Sequence, residues 1–281
     1  MTQTYQTLDI QISGSIAHMT LDRPEARNAM SDVMVAEILD FFDSIRDDRS
    51  IRAVIIAAAG STFCSGGDIK DMQASIHLSD EERDERLHEF DRMLHAVNEA
   101  PQVTIARIQG AAMGGGTGLV CVSDIAIASD EEVFGLPEVR LGIAPALISP
   151  YAIARLGISR TRQLMLTGRR FDAHAALDYG LIHEICEPDE LDEHVDEYVN
   201  DIRQCSPNAL AETKRLIFQV WTHPPEESRH YRIALNNRLR ESEDGQEGMQ
   251  AFIQKRKPYW ASNGKVSSVE ALKILESPAE G

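Results

Sequence analysis

The chain has 281 residues, 43% of them apolar and 26% charged, with 28 Lys+Arg against 45 Asp+Glu for a formal net charge of −17. That length holds one large domain or two small ones with a sizeable core, and the composition excludes a disordered chain. A pI near 4.9 argues against nucleic acid and anionic membrane surfaces as partners, because phosphate contacts need concentrated Lys and Arg.

The opening MTQTYQTLDI has neither the basic nor the apolar stretch of a secretory signal, so none is expected. The longest uncharged stretch, 108–123, has 16 residues and five glycines, too short and too glycine-rich to span a membrane. Cys64, Cys121, Cys186 and Cys205 form no CxxC pair and no metal-ligand spacing. No metal site and a reducing cytoplasm are therefore expected.

Residues 8–12 and 15–21 alternate apolar and polar around Ser13-Gly14, which predicts a β-hairpin. A helix should start at Ser31, with Met34, Ile38, Phe41, Phe42 and Ile45 on its inner face. Residues 53–59 (AVIIAAA) read as a strand buried on both faces. After a glycine-bearing loop, Ser79 and Glu82 form a capping box opening a polar helix, with Leu87, Phe90, Leu94 and Val97 as its inner stripe. Strands follow at 103–108 and 124–128, separated by the glycine cluster of 114–118 and an apolar segment to Ser123. From about 159 the pattern turns helical, with starts at Ser159, Asp172 and Ser206-Pro207 and ends at Gly168 and Gly180. A last helix is predicted over 244–257, stopped by Pro258, before a polar tail.

Two loops place glycines directly after buried strands: FCSGGDIK at 63–70 and AMGGGTGL at 112–119. Glycine lets a main-chain N–H face a ligand oxygen without an intervening side chain, and one N–H from each loop would make an oxyanion hole. Either loop alone is more often a packing turn than a site, and neither has the spacing of a nucleotide-binding motif. A third segment, VFGLPEVRLGI at 133–143, sets Glu138 in apolar surroundings. Desolvation there would raise its pKa into the range of a general acid/base; the plainer alternative is a first-turn Glu stabilising a helix dipole.

The order FxxGxD, then GGG about fifty residues on, then FGxPE resembles the crotonase (enoyl-CoA hydratase/isomerase) superfamily, over nearly the whole chain from LDRPEARNAM to AFIQKRKPYW. The resemblance implies an α/β fold, a crotonase-like spiral of ββα units with a helical C-terminal trimerisation region. The division it suggests is 1–200 for the spiral core, 201–260 for the helical region and 261–281 for a polar tail. It implies an acyl-CoA thioester substrate, no separate cofactor, and a homotrimer or homohexamer. It assigns the N–H groups of Gly67 and Gly115 to the thioester oxygen, Glu138 to acid/base chemistry and Asp68 to capping the next helix. Arg27, Ile69, Lys70, Lys255 and Phe252 match positions near CoA, the basic run continuing through Arg256 and Lys257; for each, a solvated charge or a packed residue is the plainer alternative.

The chain departs from the family's two-carboxylate pattern at Gly118, where a second Glu stands in many hydratases. Gly118 is expected to leave room for a branched acyl group. Together with Gly118, GGGxGL, FGLPEVRLG, the PALISP turn and FIQKRKPYW resemble hydratases of 3-substituted glutaconyl-CoA thioesters, with isohexenylglutaconyl-CoA first and 3-methylglutaconyl-CoA second. A single-Glu 3,2-enoyl-CoA isomerase is the nearest competing activity, and an acyl-CoA-binding or RNA-binding relative the non-enzyme alternative. Arg140 is a candidate for a substrate carboxylate or a structural ion pair, and Cys64 reads as a packed side chain.

Overall fold

The computed structural model describes residues 4–261. The predicted hairpin is β1 (Leu8–Ser13) and β2 (Ile16–Leu21), followed by α1 (Asp32–Ile45) and β3 (Ala53–Ala58). Next come α2 (Ile69–Ala74), α3 (Asp80–Asn98), β4 (Val103–Ile108), β5 (Ala112–Met113) and α4 (Gly115–Val122). Then follow β6 (Ile125–Ser129), β7 (Val133–Gly135), α5 (Ser149–Thr167), β8 (Arg170–Asp172), α6 (Ala173–Asp178) and β9 (Glu184–Cys186). The chain closes with α7 (Leu191–Arg203), α8 (Pro207–Trp221), α9 (Arg229–Glu241) and α10 (Glu243–Ile253).

One sheet has the order β1-β2-β3-β4-β6-β9, antiparallel at the hairpin and parallel thereafter. A second, short sheet has the order β5-β7-β8. Each turn of the chain runs through a long strand of the first sheet, a short stretch beside the second, and then a helix. The turn after β3 joins through the isolated bridge Cys64↔Ala112, and Ala112 pairs in turn with Phe134. This is the predicted α/β spiral of ββα units, with helices gathered at the C-terminal end. The boundary expected at 200 falls inside α7, and all but the first residue of the expected 261–281 tail lies outside the described residues.

Both faces of the large sheet are covered, which is why β3 carries no polar face. Val54 and Ile56 face the main core with α1 and α3, whereas Ile55, with Ile105 and Ile127, meets Leu191, Val195, Val199 and Ile202 of α7. The acidic run of 184–201 thus becomes β9 and an amphipathic helix with its apolar stripe inward.

Ser31 caps α1 by accepting the Met34 N–H, and Ser79 and Glu82 form the predicted capping box of α3. The inner stripe of α3 differs from its prediction: Leu87 is 54% exposed, while Met93 is buried with Leu94 and Val97. Ser159 does not cap a helix but lies within α5, just past a break at Gly157 (φ 72°). The last helix ends at Ile253, ahead of Pro258. Lys255 adopts φ 52°, and the Arg256 N–H donates to the Ala251 carbonyl at 3.0 Å while the Lys255 N–H donates to Phe252 at 3.2 Å. This Schellman arrangement satisfies the last carbonyls before the proline is reached.

Buried Lys214 ties α8 to the sheet, donating to Asp124 Oδ2 at 2.7 Å and to the Gln102 carbonyl at 3.2 Å. Asp124 also accepts the Thr104 N–H at 2.8 Å. Removing one partner of such a pair strands the other charge, so Lys214→Ala should lower unfolding free energy by about 3 kcal/mol, read by urea denaturation.

Candidate active site

All three chemistry-bearing segments leave the short-strand column at equivalent points of successive ββα turns. Gly66-Gly67 follow Cys64, Gly114-Gly115 follow β5, and Pro137-Glu138 follow β7. The column is stitched by the Met113 N–H to the Cys64 carbonyl (2.9 Å) and by the Gly114 N–H to the Gly135 carbonyl (2.8 Å). The Thr117 hydroxyl donates to the Ala112 and Gly135 carbonyls. The three segments are therefore held side by side by backbone bonds.

Gly67 is aimed by its neighbours. The Met30 N–H donates to the Gly66 carbonyl at 2.8 Å and the Asp68 N–H to the Met30 carbonyl at 3.0 Å. A strand edge alternates its bonding direction, so the Gly67 N–H faces away from Met30. Gly115 N lies 3.5 Å from the point where a Cβ on Gly66 would stand, and Gly67 N lies 3.7 Å from the corresponding point on Gly115. Neither amide has a backbone acceptor among the described residues. Gly115 opens α4, whose dipole adds positive potential there. Gly66 (φ 100°) and Gly114 (φ 53°) sit where a side chain is strained. A Cβ on Gly116 would meet the Cys64 carbonyl at 2.4 Å. The glycines thus serve two ends: positive φ and close packing.

Glu138 opens a 3₁₀ turn after Pro137, closed by Gly142. Its Oε1 lies 3.1 Å from the Cβ position of Gly114, beside the two amides. Its Oε2 is buried with no hydrogen-bond partner among the described residues. Burial raises its pKa above the ordinary glutamate value. The result is a poorly solvated carboxyl against the glycine turn that opens α4, near two N–H donors without backbone acceptors, an arrangement suited to moving a proton next to a developing oxyanion.

Asp68 caps α2 by accepting the Lys70 N–H at 3.0 Å and pairs with Arg23 at 3.1 Å. Ile69 and Lys70 occupy the exposed first turn of α2. Arg27 is exposed, and its carbonyl accepts the Ser65 N–H at 3.1 Å, which sets it at the lip of the first glycine loop. Phe252 (85% exposed) and Lys255 lie elsewhere in the packing, at the end of α10, which rests on α9. Within one chain, then, the structure gathers Gly67, Gly115, Glu138, Arg27, Asp68, Ile69 and Lys70 but leaves Phe252 and Lys255 on a separate surface. Arg140 packs against Gly168 and reaches the Thr167 carbonyl at 3.4 Å; it makes no ion pair among the described residues. Burial pushes the Cys64 thiol up to about 12, consistent with a packed, unreactive side chain.

One expectation is corrected. Gly118 opens no space for an acyl branch: a Cβ there would meet Ile148 Cγ2 at 2.4 Å, and Ile148 is 3% exposed. Ile148 fills the volume beside α4. Nothing local to Gly118 signals this, since Ile148 lies thirty positions away in the PALISP turn. Met30, Met72 and Phe90 were likewise not anticipated as neighbours of the amides, yet Met72 Sδ approaches the Cβ position of Gly67 and Phe90 Cζ that of Gly115, each at 3.4 Å.

Residues 11–263 match the enoyl-CoA hydratase/isomerase family, and the chain belongs to it. Among solved structures it is similar to Pseudomonas aeruginosa AtuE, with a TM-score of 0.89 and 40% identity over 92% of this chain and 100% of that one. A probable enoyl-CoA hydratase of Rhizobium meliloti is 32% identical over 255 residues, 90% of this chain and 97% of that protein. A trans-2-decenoyl-[acyl-carrier-protein] isomerase of Streptococcus mutans is 28% identical over 249 residues, 88% and 95% of the two chains. An acyl-CoA substrate fits this family. No helix among the described residues is long and apolar enough to cross a membrane, and no cluster there is arranged to hold a metal ion.

Substitutions at Gly118, Ile148 and Glu138 test the packing and charge of the site. Gly118→Glu should lower the thermal midpoint by overpacking, and Ile148→Ala added to it should recover part of the loss. Because the Glu138 pKa is raised in the folded state, its ionisation costs stability as pH rises above the ordinary glutamate range. Glu138→Gln should therefore gain stability over the parent as pH rises through that window, with little gain at pH 4, read by thermal melts across pH.

Proposed function

We propose that the chain adds water across the double bond of a 3-substituted glutaconyl-CoA, with isohexenylglutaconyl-CoA of acyclic terpene (citronellol/geraniol) degradation as the first candidate and 3-methylglutaconyl-CoA of leucine degradation as the second. The observation that carries this reading is one half-buried carboxyl, Glu138, whose Oε2 has no partner among the described residues, close to two unengaged glycine amides, with Ile148 where a second acid would stand. The sequence likeness at GGGxGL, FGLPEVRLG and PALISP supplies the substrate class.

In this mechanism the thioester oxygen accepts the N–H groups of Gly67 and Gly115. The Glu138 carboxylate takes a proton from water, and the water oxygen bonds to C3 while the C2=C3 electron pair moves into the thioester. Negative charge develops on the oxygen held by the two amides, where fixed donors are worth most. The proton on Glu138 then passes to C2. With one protein carboxyl available, the free carboxylate of the substrate supplies the second acceptor for the water. Arg27, Lys70 and, from a neighbouring copy in a trimer or hexamer, Phe252 and Lys255 hold the CoA portion.

A second reading, a 3,2-enoyl thioester isomerase, is favoured by the single carboxyl itself. Glu138 would then carry a proton between C2 and C4, with no water added. Four substrates separate the readings: isohexenylglutaconyl-CoA, 3-methylglutaconyl-CoA, crotonyl-CoA and a 3-enoyl-CoA, followed by conjugated-enoyl absorbance and product mass. Loss of absorbance with gain of one water on the first alone is expected. Equal turnover of crotonyl-CoA would return the enzyme to a general hydratase, and conversion of the 3-enoyl thioester without mass change would make it an isomerase.

Glu138→Gln should lower kcat by a factor of about 10² or more. The acidic limb of kcat/KM should fall above the ordinary glutamate value, since burial raises this group and activity requires its ionised form. Near-parental hydration by Glu138→Gln would rule out this mechanism.

A further inference from the structure

The loop that carries Gly67 is braced by a side chain remote from it in sequence, Arg23. The guanidinium Nη1 donates to the Ala29 carbonyl at 2.7 Å, and Nη1 and Nη2 both reach Asp68 Oδ2 at 3.1 Å. One planar fork therefore holds the residue before Met30 against the residue after Gly67. The pair is largely shielded from water, with side-chain exposures of 22% for Arg23 and 12% for Asp68, which sets it apart from an ordinary surface ion pair.

The segment behind this brace is strained and held from several sides. Arg27 and Asn28 both adopt left-handed conformations, φ 53° and 50°, which residues other than glycine rarely take. Fully buried Asn28 holds the turn: its Oδ1 accepts the Arg23 N–H at 2.8 Å, and its Nδ2 donates to the Ala59 and Thr62 carbonyls at 2.8 and 2.7 Å. The Asn28 N–H donates to the Arg23 carbonyl at 2.9 Å. Arg23 thus springs from a backbone fixed to the exit of β3, and strain of this kind gathers at functional sites.

The bonds from Arg23 onward run in one direction. In a trans peptide the C=O and N–H point opposite ways, so holding the oxygen aims the hydrogen. Arg23 holds the oxygen of the Ala29–Met30 peptide, and the Met30 N–H then donates at 2.8 Å to the Gly66 carbonyl, the oxygen of the Gly66–Gly67 peptide. The N–H at the far end is that of Gly67, which has no backbone acceptor among the described residues. Each bond in such a chain polarises the next, so a cation at its head strengthens the donor at its tail.

We propose that Arg23 is a positioning residue for the reaction. Through two hydrogen-bonded peptide groups it aims and strengthens the Gly67 N–H as a donor to the thioester oxygen, an inference that rests on the thioester being held by Gly67 and Gly115. Asp68 Oδ2 sets the plane of the guanidinium, while its Oδ1 accepts the Lys70 N–H at 3.0 Å. Arg23 itself meets no reacting atom and acts only through Met30 and Gly66.

The test is the carbonyl stretch of butyryl-CoA, labelled with carbon-13 at the thioester carbon and inert for want of a double bond, read by infrared difference spectroscopy on the full chain at saturating ligand. Bound to the parent, the stretch should lie below its value in buffer, because fixed N–H donors weaken the C=O bond. Arg23→Met should give back about half or more of that displacement. It should also lower kcat, on the thioester that the parent turns over, by about tenfold or more with KM within about threefold. Arg23→Lys keeps the charge but not the fork, and should fall between the two. Lys214→Ala, destabilising but distant, should leave the stretch at its parental value, so that lost stability alone does not imitate the effect. Should Arg23→Met fail to fold, Arg23→Lys and Asp68→Asn replace it, and both should move the stretch toward its value in buffer. A parental stretch and kcat in the Arg23 variants, beside a displaced stretch in the parent, would overturn the proposal while leaving the two donors in place. A loss confined to KM would overturn it too. A parent stretch equal to that in buffer would remove the donors themselves, and the role of Arg23 with them.

Discussion

The site depends on a narrow column of backbone pairing: Cys64 to Ala112, Ala112 to Phe134, and Phe134 to Phe171. These short strands contribute few hydrogen bonds, yet they fix the height at which each turn of the spiral releases its functional loop. Gly67, Gly115 and Glu138 are separated by tens of residues in sequence and become neighbours because three chain turns stack in register. The large sheet supplies the rigidity, being covered on both faces by apolar side chains that admit little relative sliding.

Main-chain N–H groups that are to stay unengaged place unusual demands on packing. A side-chain donor can adjust its rotamer, but an N–H is aimed only by the bonds of its neighbours. Here the bridge to Met30 aims Gly67, and the pull of Gly135 on the Gly114 N–H sets the start of α4. The same loops must be glycine for packing reasons: Gly116 rests on the Cys64 carbonyl and Gly118 on Ile148. The glycine cluster is therefore both the edge that carries the Gly115 N–H and a close helix–strand contact.

The proton affinity of Glu138 is set by its immediate surroundings. Its pKa is raised by burial, with no charged neighbour contributing to the shift. Arg140, two residues on, is drawn away to the end of α5. A carboxyl in this setting exchanges protons readily with a bound reactant, because neither state is strongly stabilised. Its cost in stability is supported by the 3₁₀ turn and by the buried Phe134 and Leu136 ahead of it.

Much of the architecture was legible in local chemistry. The hairpin, the capping box of α3, the doubly buried strand at 53–58 and the helix starts at Ser31, Asp172 and Ser206 follow from patterns spanning a few residues. The glycine loops and Glu138 were visible as motifs, since strained backbone and an acid in apolar surroundings leave marks in sequence. What sequence alone could not determine were contacts between distant segments. Ile148 filling the space beside Gly118, Met30 aiming Gly67, and the exposure of Leu87 are set by how helices lie on the sheet. The end of α10 was misplaced for a related reason, because the Schellman bonds to Ala251 and Phe252 depend on Lys255 adopting a left-handed conformation that residue type does not announce. The −17 charge was fixed by composition, but where it lies became a property of surfaces only once α7 was placed with its apolar stripe on the sheet and its acids outward. Local patterns record what a residue's neighbours in sequence require of it; tertiary structure decides which distant groups share its space.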